Sequence, residues 1–373
     1  MHKGATILLF AFRKSHVGFL KRIVNESTSP NSFKVISSRE ILSISCKGLS
    51  DLKNISFKKA CDFATKEFFA KSGLKFPKFL IYSFFSILAY ITYFRYYKVL
   101  SEGYTKMLLW NGGKFRQLIA IEIAKLKNIH VYYYENGLLP NTLVLDPSGI
   151  NFENSLSRDV KFYESYENDK ELPKELVPRA TRHVEKFNSD KATELPSEYI
   201  FVPFQVDYDT QIIKNSPWVK NMRELFSVIE NTAKNSHQNF VLKEHPSSGI
   251  NYPDLHKRVK NIPNMSFQNG YSTQELIEKS IAVITVNSTV GIESLLFHKK
   301  VIVLGNAFYA INGITHPVKS LDKLNKLIGN LDNLEIDVEL VDKFLRYLNY
   351  DYLIEKDEEV YKKFANYLLD EKN

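Results

Sequence analysis

The chain predicts an α/β fold made of two Rossmann-like domains, and three observations carry that prediction. Between Tyr199 and Tyr309 one unit recurs: a short apolar strand runs straight into a polar or glycine-containing turn, and a helix follows. Upstream, Lys106–Trp110 reads as a strand, Lys114–Leu126 as an amphipathic helix and His130–Tyr134 as another strand, a βαβ unit that implies parallel pairing. The third observation is size, because 373 residues with 44% hydrophobic content suit two domains better than one.

In chain order, His2 and Lys3 precede an apolar run, Ala5–Phe12, that superficially imitates a signal peptide. Arg13 and Lys14 follow at once and no small-residue cleavage site appears, so a first β-strand is expected. Phe79–Phe94 carries no charge and is bracketed by Lys78 and Arg95. A spanning helix needs roughly 20 apolar residues, which this run does not reach. A buried helix is the expectation, ahead of an interfacial helix flanked by Tyr96, Tyr97 and Lys98. From about Glu167 to Ser197 the pattern dissolves into charge, with Pro173, Pro178 and Pro196 as breakers and a helix expected at Ala180–Phe187. The expected organisation is therefore an N-terminal domain over 1–170, a linker over 171–197, a second domain over 198–330 and charged helices over 331–373 that pack back on the first domain.

Lys and Arg outnumber Asp and Glu by 50 to 42, giving +8, and this excess reads as spread along the chain. Simple solubility and an anionic partner (a phospholipid surface, a sugar nucleotide or an acidic glycan) are equal readings of it. Nucleic acid is set aside, because no zinc-finger, helix-turn-helix or aromatic-basic signature is present. Cys46 and Cys61 lack metal-ligand or CxxC spacing and read as reduced thiols of a cytosolic protein.

The ends of the strands carry the chemistry. In open parallel sheets ligands bind beyond the carboxyl ends of the strands, so the turns there should line one crevice. Glu135-Asn136-Gly137 ends one strand, and Glu135 is either a general base or a turn residue. Asp146-Pro147-Ser148-Gly149 reads as ordinary turn chemistry. Asp207 and Asp209 lie two apart, so persisting strand geometry would put both on one side and raise the pKa of one. Lys243-Glu244-His245-Pro246 brings a cation and an imidazole to the next strand end, suited to a phosphate. Asn287-Ser288-Thr289 precedes a helical stretch, Gly291–Phe297, as an N-cap, an anion site or both. Glu293 follows one turn later, within reach of a ribose hydroxyl or simply complementing the helix dipole. No GxGxxG or GxxxxGK[ST] is present, which argues against the usual dinucleotide and ATP cradles.

Taken together, Trp110-Asn111-Gly112, Glu135–Pro140, Asp146–Asn151 and Asn154–Asp159 resemble the bacterial capsule-synthesis family of retaining β-Kdo glycosyltransferases. Pro203–Val206, Asp209-Thr210-Gln211-Ile212, Lys243–Pro246, Asn287–Glu293 and Gly305–Tyr309 continue the resemblance in the same order. It covers roughly Lys106 to Pro317.

The resemblance implies a GT-B-like fold, two Rossmann-like domains facing a cleft, that takes Kdo from CMP-β-Kdo with retention and needs neither cofactor nor metal. It makes Asp209 the nucleophile and Glu135 the acid or base. His245, Ser288 and Thr289 would hold the CMP phosphate and Glu293 the ribose. Gln205, Asn287, Asn136 and Gly137 belong to the same motifs. Lys243, Arg158 or N–H groups near Gly137 are alternatives for the Kdo carboxylate. The acceptor would be a glycan or lipid-linked glycan of capsule or O-antigen synthesis, met in the cytoplasm, with peripheral contact at an anionic inner membrane left open. Two further readings stand beside this one: a transferase using another CMP-sugar such as a sialic acid, and a non-catalytic glycan- or lipid-binding component of a polysaccharide assembly complex.

Overall fold

The computed structural model describes residues 6–176 and 193–370. The chain begins β1 (Ile7–Ala11), α1 (Lys14–Asn25), β2 (Phe33–Ser37), α2 (Lys58–Ser72), α3 (Lys78–Leu100), β3 (Lys106–Trp110), α4 (Phe115–Leu126), β4 (His130–Asn136), β5 (Thr142–Asp146) and α5 (Val160–Glu164). It continues β6 (Ile200–Pro203), α6 (Thr210–Asn215), α7 (Met222–Lys234), β7 (Phe240–Lys243), α8 (Pro253–Val259), β8 (Met265–Phe267), α9 (Thr273–Lys279), β9 (Ala282–Thr285), α10 (Val290–Leu295) and β10 (Lys300–Val303). The last elements are β11 (His316–Pro317), α11 (Leu321–Ile328), α12 (Val338–Tyr347), β12 (Ile354–Glu355) and α13 (Val360–Leu369).

Contacts divide the chain into two units. The first comprises Met1–Gly137, Asn141–Ser155 and Leu353–Asn373; the second comprises Leu138–Pro140 and Leu156–Tyr352. The first boundary thus falls at Ser155 rather than near residue 170. Residues 156–170 belong to the second unit because α5 packs on α12, with Tyr163 and Phe344 ring centroids 5.0 Å apart. The helix expected at Ala180–Phe187 and its Pro178 lie outside the described residues.

The sheet of the first unit has the order β2-β1-β3-β4-β5-β12, parallel from β2 through β4 and antiparallel at β5 and β12. Both faces of β1 are covered, which is why its sequence, ILLFA, is uninterruptedly apolar and every residue is buried. Alternation along the strands splits the core in two. Leu8, Phe10, Met107 and Leu109 face α2, α3 and α4, while Ile7, Leu9, Leu108 and Tyr132 face α1 and α13. The C-terminal helices accordingly part company. Phe364 of α13 packs edge-on to Phe19 of α1 at 5.4 Å and so returns to the first unit as expected, whereas α12 stays with the second.

Helix α3 departs from the buried helix expected. Its second half is anchored by Tyr93, Tyr96, Tyr97 and Leu100, with the Tyr93 hydroxyl donating to the Gly48 carbonyl at 2.8 Å. Phe79, Leu80, Phe84 and Ile87 in its first half are exposed. Length and apolarity had suggested burial, but the sheet is five residues deep at β1 and β3, and a 23-residue helix overruns it.

The second sheet is wholly parallel, β8-β7-β6-β9-β10-β11. Successive strands therefore take the order 3-2-1-4-5-6 of the doubly wound dinucleotide-binding folds, reversing direction of growth between β6 and β9. Its core joins inward residues of β6, β7, β9 and β10 to the apolar stripe of α7, Met222, Leu225, Phe226 and Ile229.

Candidate functional site

At the reversal between β6 and β9 the carboxyl ends of two non-consecutive strands lie side by side. Two buried amides bridge them: Gln205 Nε2 donates to Asn287 Oδ1 at 3.0 Å, and the Asn287 backbone N–H donates to Gln205 Oε1 at 3.1 Å. Asn287 Nδ2 in turn donates to the carbonyls of Gln211 and Asn215 in α6. The neighbouring turns join the same edge. The Gly305 N–H donates to the Val286 carbonyl at 2.7 Å, the Asn306 N–H to the Asn215 carbonyl at 2.8 Å, and the Phe204 N–H to the Lys243 carbonyl at 2.8 Å. The four strand-end clusters of this unit are thus neighbours, while Gln205 and Asn287 hold the edge together rather than projecting into it.

The carboxylates Asp207 and Asp209 diverge. Strand β6 stops at Pro203 and a turn closes from Asp209 N–H to the Val206 carbonyl, so the alternation that would align them does not reach that far. Asp207 is buried, its Oδ1 accepting from the Met222 N–H at 2.7 Å and fixing the start of α7. Its pKa is raised, and the cause is burial rather than the charge of Asp209. Asp209 is exposed and caps α6, Oδ1 accepting from the Gln211 N–H at 2.8 Å. Its Oδ2 has no hydrogen-bond partner among the described residues.

His245 Nδ1 accepts the Ser247 N–H at 3.1 Å, which places the proton of the neutral ring on Nε2 as a donor. The Lys243 ammonium donates to the carbonyls of Asn269 at 2.8 Å and Tyr271 at 2.6 Å, clamping the loop after β8. Ser288 Oγ accepts from the Val290 N–H at 3.2 Å, and the Tyr309 hydroxyl donates to the Ser288 carbonyl. Gly291 is where that tyrosine crosses, since a Cβ there would stand 2.6 Å from its hydroxyl oxygen. Thr289 begins α10 without capping it through its side chain, and half-buried Glu293 lies on the first turn, its charge adding to the burial that raises the Tyr309 pKa. Arg158, expected in the N-terminal domain, belongs to the second unit and lies over the Phe308 ring at 5.8 Å, beside the turn after β10.

In the first unit Glu135 is the next-to-last residue of β4, and its Oε2 accepts from Asn111 Nδ2 at 2.7 Å. Asn111 adopts φ 61°, so the Trp110-Asn111-Gly112 motif is the bend that swings this amide onto the carboxylate. The adjacent Asn136 points to the opposite face, Oδ1 accepting from Lys356 Nζ at 3.2 Å. Gly137 continues the ladder, its N–H donating to the Thr142 carbonyl at 2.8 Å, and a Cβ there would fall 1.9 Å from Thr142 Oγ1. Asp146 is fully buried and structural. Its oxygens accept from the N–H groups of Ser148, Gly149 and Ser155 and from the Ser155 hydroxyl, at 2.7 to 3.0 Å. Among the described residues no group of three or more His, Cys, Asp or Glu comes together as a metal site.

The first unit also contains a cavity of about 940 Å³, which sequence reasoning missed. Arg13 and His16 after β1, Trp110 at the end of β3, Asn136 at the end of β4, Arg22 and Lys356 line it. It lies at the strand-order reversal of its own sheet, between β1 and β3. The His16 ring stacks on Trp110 with centroids 4.9 Å apart, and His16 Nδ1 and the Tyr134 hydroxyl are buried without a hydrogen-bond partner. Burial, helped by the Arg13 charge, lowers the His16 pKa to about 4. The signal was present in Arg13-Lys14-Ser15-His16, a polar turn directly after an apolar strand, but was used only to reject a signal peptide.

Comparison with known proteins gives the family. A family described as Capsule polysaccharide biosynthesis protein matches residues 166–354, just over half of the chain. Protein FixF of Sinorhizobium fredii is 37% identical over 255 residues, covering 66% of this chain and 60% of FixF. Capsule polysaccharide export protein KpsS of Escherichia coli is 31% identical over 134 residues, covering 33% of this chain and 34% of KpsS. The chain therefore spans less than two thirds of the length of either curated relative. Among solved structures, the Thermosulfurimonas dismutans KpsC β-Kdo 2,7 transferase aligns over 98% of this chain and 99% of its own at 18% identity, with a TM-score of 0.48.

Two stability effects follow from the geometry. Asp146→Ala leaves several buried donors without an acceptor and is expected to cost about 2–4 kcal/mol in urea unfolding. His16 has a folded pKa below its unfolded value, so its contribution is whole above about pH 6.5 and is lost as pH falls toward 4. Between pH 7 and 4 the wild-type protein should lose about 3 kcal/mol more stability than His16→Phe, as read from paired denaturation curves.

Proposed function

Because the chain belongs to the capsule polysaccharide biosynthesis family, we propose that it is a glycosyltransferase that takes Kdo from CMP-β-Kdo with retention of configuration and gives it to a glycan or lipid-linked glycan. The observation that carries this reading is the edge at the β6/β9 reversal, where Asp209, His245 and the Ser288-Thr289 turn sit on neighbouring strand ends. The Asp-Thr-Gln-Ile, Lys-Glu-His-Pro and Asn-Ser-Thr motifs, in that order, resemble those of the retaining β-Kdo glycosyltransferases, and that resemblance supports CMP-Kdo ahead of another CMP-sugar.

Retention is most simply two inversions, which need a carboxylate nucleophile and a second group to activate the acceptor. In the first step a lone pair of Asp209 Oδ2 attacks the anomeric carbon. The bond from that carbon to the phosphate oxygen breaks, and its electron pair leaves with CMP. His245, donating through Nε2–H, and the Ser288-Thr289 turn stabilise the charge that gathers there, while Glu293 takes the ribose. In the second step Glu135 accepts the proton of the acceptor hydroxyl, whose oxygen attacks the same carbon as the bond to Asp209 breaks and returns its pair to the carboxylate. Asn287 is committed to the framework, and Lys243, Arg158 or N–H groups near Gly137 are the alternatives for the Kdo carboxylate.

Asp209 also caps a helix, and the test must separate the two roles. Asparagine caps as well as aspartate does, so Asp209→Asn should keep the fold while abolishing transfer. Incubated with CMP-Kdo made in situ and no acceptor, the wild-type protein should gain one sugar mass by intact-protein mass spectrometry. Glu135→Gln should gain the mass and fail to turn it over, and Asp209→Asn should not gain it. An adduct that persists in Asp209→Asn removes Asp209 from the nucleophile's role, and release of CMP from a sialic acid donor but not from CMP-Kdo overturns the choice of sugar. His245→Ala should weaken CMP binding by about tenfold or more, measured by calorimetry, for loss of one charge-assisted hydrogen bond.

A further inference from the structure

The outer face of α3 is a feature that the transferase reading leaves unused. Leu80, Phe84, Ile87 and Ile91 recur at spacings of four, three and four, so they form one stripe along the helix, and each is exposed. Phe76 and Phe79 extend the stripe at its N-terminal end, Phe79 being 67% exposed. The segment that packs against the other end of α3 adds Leu42, Ile44 and Leu49, of which Leu42 is 81% exposed. A helix that faces water carries a polar outer stripe; this one has no charged residue from Phe79 to Phe94. Contiguous exposed apolar surface of this kind marks an interaction site.

Charge identifies the partner. The positive excess, read from the sequence as spread along the chain, is concentrated around this helix. Residues 41–100 hold ten Lys and Arg against three Asp and Glu, which is +7 of the chain's +8. Lys47, Lys53, Lys58, Lys59, Lys75 and Lys78 are all exposed and have no ion-pair partner among the described residues. They lie on α2, on the turn into α3 and on the 46–54 segment, the elements packed against or continuous with α3. A second copy of the chain would meet the same lysines across a two-fold axis and repel them. A helix crossing a bilayer is ruled out by its own second half, where Tyr93 and Tyr97 are buried against the sheet core and Arg95 donates to the Ile41 carbonyl at 2.8 Å.

We propose that this face docks the protein on the surface of an anionic lipid bilayer, with the first half of α3 lying at the boundary between headgroups and acyl chains and the surrounding lysines on the headgroups. The inference rests on surface chemistry alone and is independent of the donor and the reaction.

The experiment is co-sedimentation of the full chain with phosphatidylcholine vesicles, with and without about 30% phosphatidylglycerol, at about 0.1 M and 0.5 M NaCl. Binding is expected to the anionic vesicles, about tenfold or more above the neutral ones, and to weaken at the higher salt. A Phe84→Glu, Ile87→Glu double variant should lose binding while keeping the wild-type melting temperature, because both side chains face solvent. A Lys75→Glu, Lys78→Glu variant should lower the affinity by about tenfold and leave the fold intact. Wild-type protein that stays in the supernatant, or a double glutamate variant that sediments like wild type, overturns the proposal. A concentration-dependent dimer in sedimentation velocity that the glutamate variant abolishes, without vesicle binding, assigns the face to a second copy and overturns it as well.

Discussion

The exchange of hydrogen bonds between Gln205 and Asn287 is the constraint on which the second unit turns. Reversing the order of strands between β6 and β9 brings together two segments 82 residues apart in sequence, and each ends in a buried amide. A buried primary amide left unpaired costs about 1–3 kcal/mol, so the two segments are stable only when each satisfies the other. That requirement fixes α6, whose Gln211 and Asn215 carbonyls take the Asn287 side-chain protons, and through α6 it fixes the turn after β10. The position of Asp209 at the start of α6 is therefore inherited from a bond that Asp209 does not make.

A common division of labour runs through both units. Polar residues just past the strand ends fall into those that build the edge and those that stand on it. Lys243, Asp207 and Asp146 each bond backbone groups, although the first two looked from their neighbours like ligand or catalytic candidates. Asp209 is positioned through Oδ1, which caps α6, and His245 through Nδ1, which accepts the Ser247 N–H. A side chain with two polar atoms can be positioned by one and react through the other. Glu135 is held through Oε2 by Asn111, a residue of positive φ.

The molecule also separates what faces ligands from what faces a surface. Strand ends gather mixed charges, aromatic rings and orphaned polar atoms, including the unpartnered His16 nitrogen and Tyr134 hydroxyl over a cavity of about 940 Å³. The outer face of α3 carries no charge from Phe79 to Phe94 and is dominated by apolar side chains such as Phe84 and Ile87, rimmed by lysine. Concave and mixed surface suits a small polar ligand, whereas convex apolar surface with a one-signed rim suits a charged interface.

The alternation of apolar strand, polar turn and helix by itself determined the fold class, the parallel pairing of β3 with β4 and the four strand-end clusters, because periodicity and turn chemistry are local. Sequence did not reveal β5, a five-residue strand hidden between a motif and a turn, since an antiparallel return needs no helix to announce it. It placed Asp207 and Asp209 together by assuming that strand geometry continues, whereas the strand stops at Pro203 and a turn sends one carboxylate inward and the other out. It read the apolar run of α3 as core, which was true only where the sheet is wide enough to cover it. Burial, hydrogen-bond partners and the edge a residue finally shares depend on segments distant in sequence, and only the tertiary structure decides those.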